Sequence, residues 1–258
     1  MAYKFDSRYI GYPPVEAVVP VPTSLNALPI SAGFIATAED PVWGPGEFIF
    51  ARAGGTIRMY GLCVLTPVWD STNKVYTYNA TEAPSSATTL IGRPLYVSQA
   101  VGAGVGSAVN SLTVGQYGWF QMSGRSPVNG SASVAADTIC GRTNAGQIGA
   151  NGISVAVLGA RVITPATQTV VSAGTGASGD TRINLASTQG FFAGGYLSGT
   201  GVGASAIVSF VDPLGAYILA SVANSAAISG NVTVTYNNAT IFYNVLEMNR
   251  MVGQGPIT

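Results

Sequence analysis

No histidine occurs among the 258 residues, and cysteine appears only as Cys63 and Cys140. Without histidine the Ser-His-Asp and Cys-His arrangements are excluded, together with every zinc site that uses an imidazole. Two cysteines cannot make a four-thiolate metal site, and their apolar settings (GLCVL and DTICG) predict buried free thiols. Lysine is nearly absent as well, so a Ser-Lys dyad has only Lys4 and Lys74 to draw on. Paired carboxylates for glycoside hydrolysis stay arithmetically open with eleven acids. Most of those acids sit at expected turns or strand ends, where solvation accounts for them. We expect no catalytic residues, no metal and no cofactor.

Charge is the next shortage. Asp, Glu, Lys and Arg make up 9% of the chain, against roughly 25% in an ordinary soluble domain. The formal net charge is zero and the mean hydropathy is +0.35, so little keeps copies apart in solution. This composition predicts a surface largely covered by partners. The eleven Lys and Arg are scattered from Lys4 to Arg250, which argues against nucleic acid as a partner.

The first residues, MAYKFDSRYIGYPP, lack an apolar h-region and do not read as a signal peptide. The longest uncharged stretch, Pro213 to Leu246, is broken by Gly215, Gly230 and many Ser, Asn and Thr, so no membrane helix is expected. Two glycine patterns, GTGASG from Gly174 and GTGVGA from Gly199, match dinucleotide-binding spacings. Neither follows a parallel strand or opens a helix, and both read as Gly-rich turns.

What the chain does have is a run of aromatics at its centre. GQYGWFQMSGRSPV, Gly115 to Val128, places Tyr117, Trp119 and Gln121 on one face of a strand and Gly118, Phe120 and Met122 on the other, with a turn expected at Ser123-Gly124. A strand with bulky residues on both faces belongs in a sandwich or barrel core. Tyr117, Trp119 and Phe120 are therefore read as core-organising residues.

Residues 1–45 hold seven of the fourteen prolines. They predict an extended arm through which neither helix nor central strand can run. Its apolar residues, among them Tyr9, Tyr12, Val18, Val21, Leu25 and Phe34, are too many for a solvated tail and are the candidate partner contacts. Two readings stand open: an arm folded back on its own domain, or one laid across a neighbouring subunit.

From Gly46 the chain reads as strands. GEFIFARA and TIRMYGLCVL flank Gly54-Gly55 and predict a hairpin that Pro67 ends. Strand signals follow near Lys74–Tyr78 and at RPLYVSQAV, and a bent strand or strand pair over 153–163. Residues 166–238 contain only three charges, Asp180, Arg182 and Asp212, and carry short strands (TRINLA, YLSG, AIVSFV, AYILASV, NVTVTY) between turns. TIFYNVLEMNRMV then resumes the character of the first half. The fold class expected is all-β: a compact sandwich or barrel domain, 46–165 plus 239–258, with an extended N-terminal arm and a second small β domain, 166–238, inserted in it.

The string Tyr117-Gly-Trp-Phe-Gln-Met-Ser-Gly124 resembles the aromatic strand of bacteriophage decoration, or cement, proteins. IFYNVLEMNRMVGQGPIT is similar to their terminal strand and tail, and FFAGGYLSGTGVGASAIVSFVDPLGAYILAS resembles small β modules inserted into phage surface proteins. The resemblance implies a virion protein, made in the host cytoplasm, that binds the major capsid protein on the outer head surface as a homotrimer and performs no reaction. A head-fibre or tail adhesin gripping host glycan or protein through 166–238 is the alternative. Its candidate residues are Phe191, Phe192, Tyr196 and Tyr217.

Overall fold

The computed structural model describes residues 3–5, 12–22, 28–40, 43–71, 74–84, 90–101, 110–150, 156–212, 214–237 and 242–254, and all regular secondary structure among them is strand. The all-β class is as expected. The aromatic run forms β9 (Tyr117–Gly130), and this strand joins most of the large sheet together. Its first half pairs with β3 (Gly44–Ala53) on one side, from Arg52 opposite Tyr117 to Glu47 opposite Ser123, and with β7 (Tyr96–Ser98) on the other. Its second half pairs with β19 (Phe242–Gly253), from Asn249 opposite Ser123 to Phe242 opposite Gly130. The expected turn at Ser123-Gly124 does not form. Gly124 takes φ +96° and lets the strand change partners without reversing.

A closed ring surrounds the smaller of two apolar clusters. β3 pairs in parallel with β6 (Val75–Glu82), β6 with β5 (Leu62–Asp70), β5 with β7, β7 with β9, and β9 with β3 again. Ile49, Ala51, Ala53, Cys63, Ala80 and Phe120, from four of these strands, touch one another, with Leu65, Tyr78, Tyr96 and Met122 packed against them. Side chains from around a ring can meet in this way only inside it. Five strands leave little room, which explains the alanines and Gly118, whose added Cβ would lie 3.3 Å from both Ala100 Cβ and Leu112 Cδ1. The opposite face of the same strands (Phe48, Phe50, Leu62, Val64, Val97, Tyr117, Trp119) faces the larger core, so the alternation expected for β9 holds.

Two local expectations fail. Gly54-Gly55 does not close a hairpin: β4 (Ile57–Arg58) pairs with β8 (Asn110–Leu112), and β3 takes β2 (Ile35–Asp40), β6 and β9 as partners. Pro67 does not end a strand. It sits inside β5 opposite Tyr78, and β7 covers the other edge of β5 only at Leu62 and Cys63, so the missing N–H is accommodated on a strand with one open edge.

The N-terminal region has no regular strand over 12–22, where Ala17 N–H donates to Pro14 O at 2.9 Å across a turn, and further on it forms β2 (Ile35–Asp40), which lies between β3 and β1 (Lys4–Phe5). The expectation that no internal strand runs there is corrected. The stretch between Pro29 and Pro41 is proline-free, and its alternation buries Ala36, Ala38 and Asp40.

β12 (Val157–Thr164) pairs antiparallel with β19. Between them lie β13 (Thr169–Gly176), β14 (Arg182–Leu185), β15 (Tyr196–Ser198), β16 (Val208–Val211), β17 (Tyr217–Ala220) and β18 (Ile228–Thr235), ordered β15-β18-β13-β14-β17-β16. The ends of this order meet through a bridge from Tyr196 to Ile207 and a 2.8 Å bond from Leu197 N–H to Ala206 O, giving a second barrel. Gly174 and Gly176 lie in β13, not in a turn. A Cβ on Gly174 would meet Val232 Cγ2 at 2.8 Å, so this glycine makes room for a neighbouring strand's side chain.

Candidate interaction surfaces

Both cysteines are free and buried, and burial pushes both thiols well above their ordinary range. Among the described residues no group of three His, Cys, Asp or Glu could hold a metal ion. The site is therefore sought on surfaces.

The N-terminal segment is fastened to its own barrel. Trp119 Nε1–H donates to Pro13 O at 3.0 Å, Val19 bridges Tyr117, and Val101 N–H donates to Glu16 O at 2.9 Å. Tyr3 O–H donates to Arg125 O at 2.8 Å, and Gln121 Nε2 donates to Ser123 O and Arg125 O. Val15, Tyr3 and Ile30 are core residues. Of the candidate contacts, Tyr12 and Phe34 pack edge to face at 5.2 Å and lie half-buried against the main core, and Val18 packs on the barrel interior. Val21 is 57% exposed and packs beside Gly115, whose chain neighbour Val114 is exposed as well. Tyr9 and Leu25 lie outside the described residues. The structure thus leaves Val21, of the four described, turned to solvent.

A second surface was not anticipated. The distal half of the β5–β6 hairpin runs beyond the ring as a two-stranded ribbon, in which Thr66, Pro67, Val68 and Trp69 are all exposed. Trp69 stands opposite Tyr76, with ring centroids 5.0 Å apart, and the two are 49% and 64% exposed. Val68 projects from the other face, 39% exposed. The signal was present in VWDSTNKVY: two β-prone runs around a polar Ser-Thr-Asn turn.

A third surface is the outer wall of the second barrel. Phe191 and Phe192 are core residues, whereas Tyr217 sits on that wall with Phe210 beside it, and Tyr196 is half-buried. Elsewhere on the large sheet some charged side chains pair with one another: Arg161, Glu247 and Arg125 form a row across β12, β19 and β9, with Arg161–Glu247 at 2.9 Å, and Arg250 meets Glu47 at 3.2 Å. Exposed pairs of this kind are screened by solvent and contribute little to stability.

No family model matches the chain, and no curated protein or solved structure is significantly similar to it. The surfaces have to be read from their own chemistry. The ribbon exposes Val68, Trp69 and Tyr76, Val21 and Val114 stand exposed with the Arg52 guanidinium close to Gly115, and the second barrel's wall combines rings with a single cation.

Proposed function

We propose that the chain is a structural protein of a bacteriophage virion, a decoration or cement protein that seats on the outer head surface and clamps neighbouring major capsid protein subunits. The ribbon carries this reading. A two-stranded hairpin exposed on both faces is marginal in water, and one that presents Val68, Trp69 and Tyr76 gains stability when a partner covers it. The scarcity of charge and the zero net charge support the same reading, since a surface enclosed by neighbours needs few ions to stay soluble. A standard interface buries about 1,600 Å². Contacts at the ribbon and at Val21–Val114, repeated in a homotrimer, act multivalently, so that weak single contacts still give a lasting clamp.

Deleting the N-terminal forty residues is a poor test, because it removes Tyr3, Val15 and β2 from the protein's own fold. A cleaner one mixes undecorated heads of the encoding phage with the full chain and with the W69S/Y76S double variant. The wild type is expected to co-sediment, and the variant to lose occupancy several-fold at an unchanged melting temperature. Failure of the wild type to co-sediment rejects the function, and full occupancy by the variant rejects the ribbon as the contact. The second reading, a head-fibre or tail adhesin, is favoured by one observation, the aromatic and cationic wall of the second barrel.

A further inference from the structure

On the outer wall of the second barrel the strand register builds one coherent face. Arg182 of β14 stands opposite Leu219 of β17, and Leu219 opposite Phe210 of β16, while Asn184 stands opposite Tyr217 in the next row. Their chain neighbours Ile183, Ile218 and Val211 are buried, so these five side chains point outward. The Arg182 guanidinium lies over the Tyr217 ring, 4.0 Å from its centroid, and its Nε–H donates to Asn184 Oδ1 at 2.9 Å. The Phe210 ring is 6.1 Å from Tyr217 and 40% exposed.

The contact with the Tyr217 ring and the bond to Asn184 together restrain the guanidinium. Arg182 is thereby held in advance in the orientation that a bidentate partner requires, which lowers the entropy lost on binding. The nearest acid in sequence, Asp180, accepts from the Arg182 backbone N–H at 3.1 Å and forms no ion pair with the guanidinium. Arg182 is the one cationic residue in 166–238. A stacked, oriented and unneutralised arginine beside an exposed ring suits a ligand that joins a carboxylate to a flat, ring-shaped body.

We infer that this face binds an acidic saccharide of the uronate or sialate type, with its carboxylate on the Nη edge of Arg182 and the C–H face of its pyranose on Phe210. The ligand class follows from the pairing of charges and from the ring surface together. An exposed Arg–carboxylate contact is weak alone, so each site binds in the millimolar range and gains strength through repetition on an oligomer or a particle. The site lies on a different sheet from Trp69 and Tyr76, so it stands or falls independently of the capsid contact.

Saturation-transfer NMR on the full-length chain tests it, with sodium glucuronate as ligand, glucose as its neutral counterpart and acetate as the bare carboxylate. Glucuronate ring protons are expected to receive transfer several-fold above glucose. R182Q and R182K, each checked for an unchanged melting temperature, are expected to bring glucuronate down to the glucose level, since lysine keeps the charge and loses the fork. F210S is expected to weaken transfer to the ring protons. Equal transfer to glucose and glucuronate, displacement of glucuronate by equimolar acetate, full transfer in R182Q, or no transfer to glucuronate in the wild type would each overturn the assignment.

Discussion

At Gly124 the longest strand passes from one partner to another, and the backbone there is in the left-handed region that side chains disfavour, at φ +96°. An added Cβ would stand 2.5 Å from Pro45 O, a backbone atom that cannot swing aside. Gly124→Ala is therefore expected to destabilise the fold by about 1–3 kcal/mol, seen as a lower urea midpoint at an unchanged slope. A midpoint equal to the wild type would mean that β9 tolerates the change by bending elsewhere. Glu16 raises a different issue, because its Oε1 is buried without a hydrogen-bond partner. Burial pushes its carboxyl up from 4.5 to about 7, and Asp40 adds to the rise. Between those two values the folded chain keeps a proton that the unfolded chain has released, so this group makes stability fall as pH rises through that window and adds no further change above it. Glu16→Gln removes the titration. The difference in stability between variant and wild type is expected to grow in the variant's favour from pH 4.5 to 7 and then stay level. A difference constant across that range would show that the carboxyl is solvated.

Elements differ in how much of themselves they write into local sequence. β9 was legible because its two faces alternate within ten residues, and Tyr117, Trp119 and Phe120 fall in the two cores as the alternation requires. The short strands of 166–238 were legible for the same reason, since turns separate them. What local pattern does not encode is the identity of the partner. Gly54-Gly55 looks like a hairpin turn, yet β4 finds β8 across more than fifty residues, a choice made by ring closure and not by the turn. β13 was hidden because Gly174 and Gly176 look like turn residues, whereas Gly174 makes room for Val232 and Leu185. The ribbon escaped because exposure is a property of the fold: Trp69 reads as a core residue until the strand is seen to outrun its ring. Pro67 has its meaning only at this scale. It interrupts the open edge of β5, where a row of free backbone donors would invite pairing with another chain. Pro67→Val is expected to leave the melting temperature nearly unchanged while lowering the concentration at which the protein aggregates, measured by light scattering. Unchanged aggregation would show that the edge is shielded by something other than the proline.

In the whole molecule the two barrels are not separated by a polar layer. One apolar cluster runs from Phe48 and Trp119 of the large sheet to Ile183, Ile218 and Val232 of the second barrel. The join is aromatic. Phe192 stacks on Tyr236 at 3.8 Å and stands edge-on to Trp43 at 5.8 Å, Tyr60 at 6.0 Å and Tyr243 at 6.3 Å, while Tyr236 O–H is tied to Gly190 O. Phe192, Tyr60, Tyr236 and Tyr243 are almost fully buried, so a void at Phe192 has no solvent to fill it cheaply and no flexible neighbour to collapse into it. Phe192→Ala is expected to cost about 3–5 kcal/mol. Because the cluster is continuous, that loss should be felt on both sides of the join. In native-state hydrogen exchange the amides of β18 and of the second half of β9 are expected to lose protection together and by similar factors. Loss confined to β13–β18, with β9 as protected as before, would show that the inserted strands form a unit that unfolds by itself and that the aromatic join couples little.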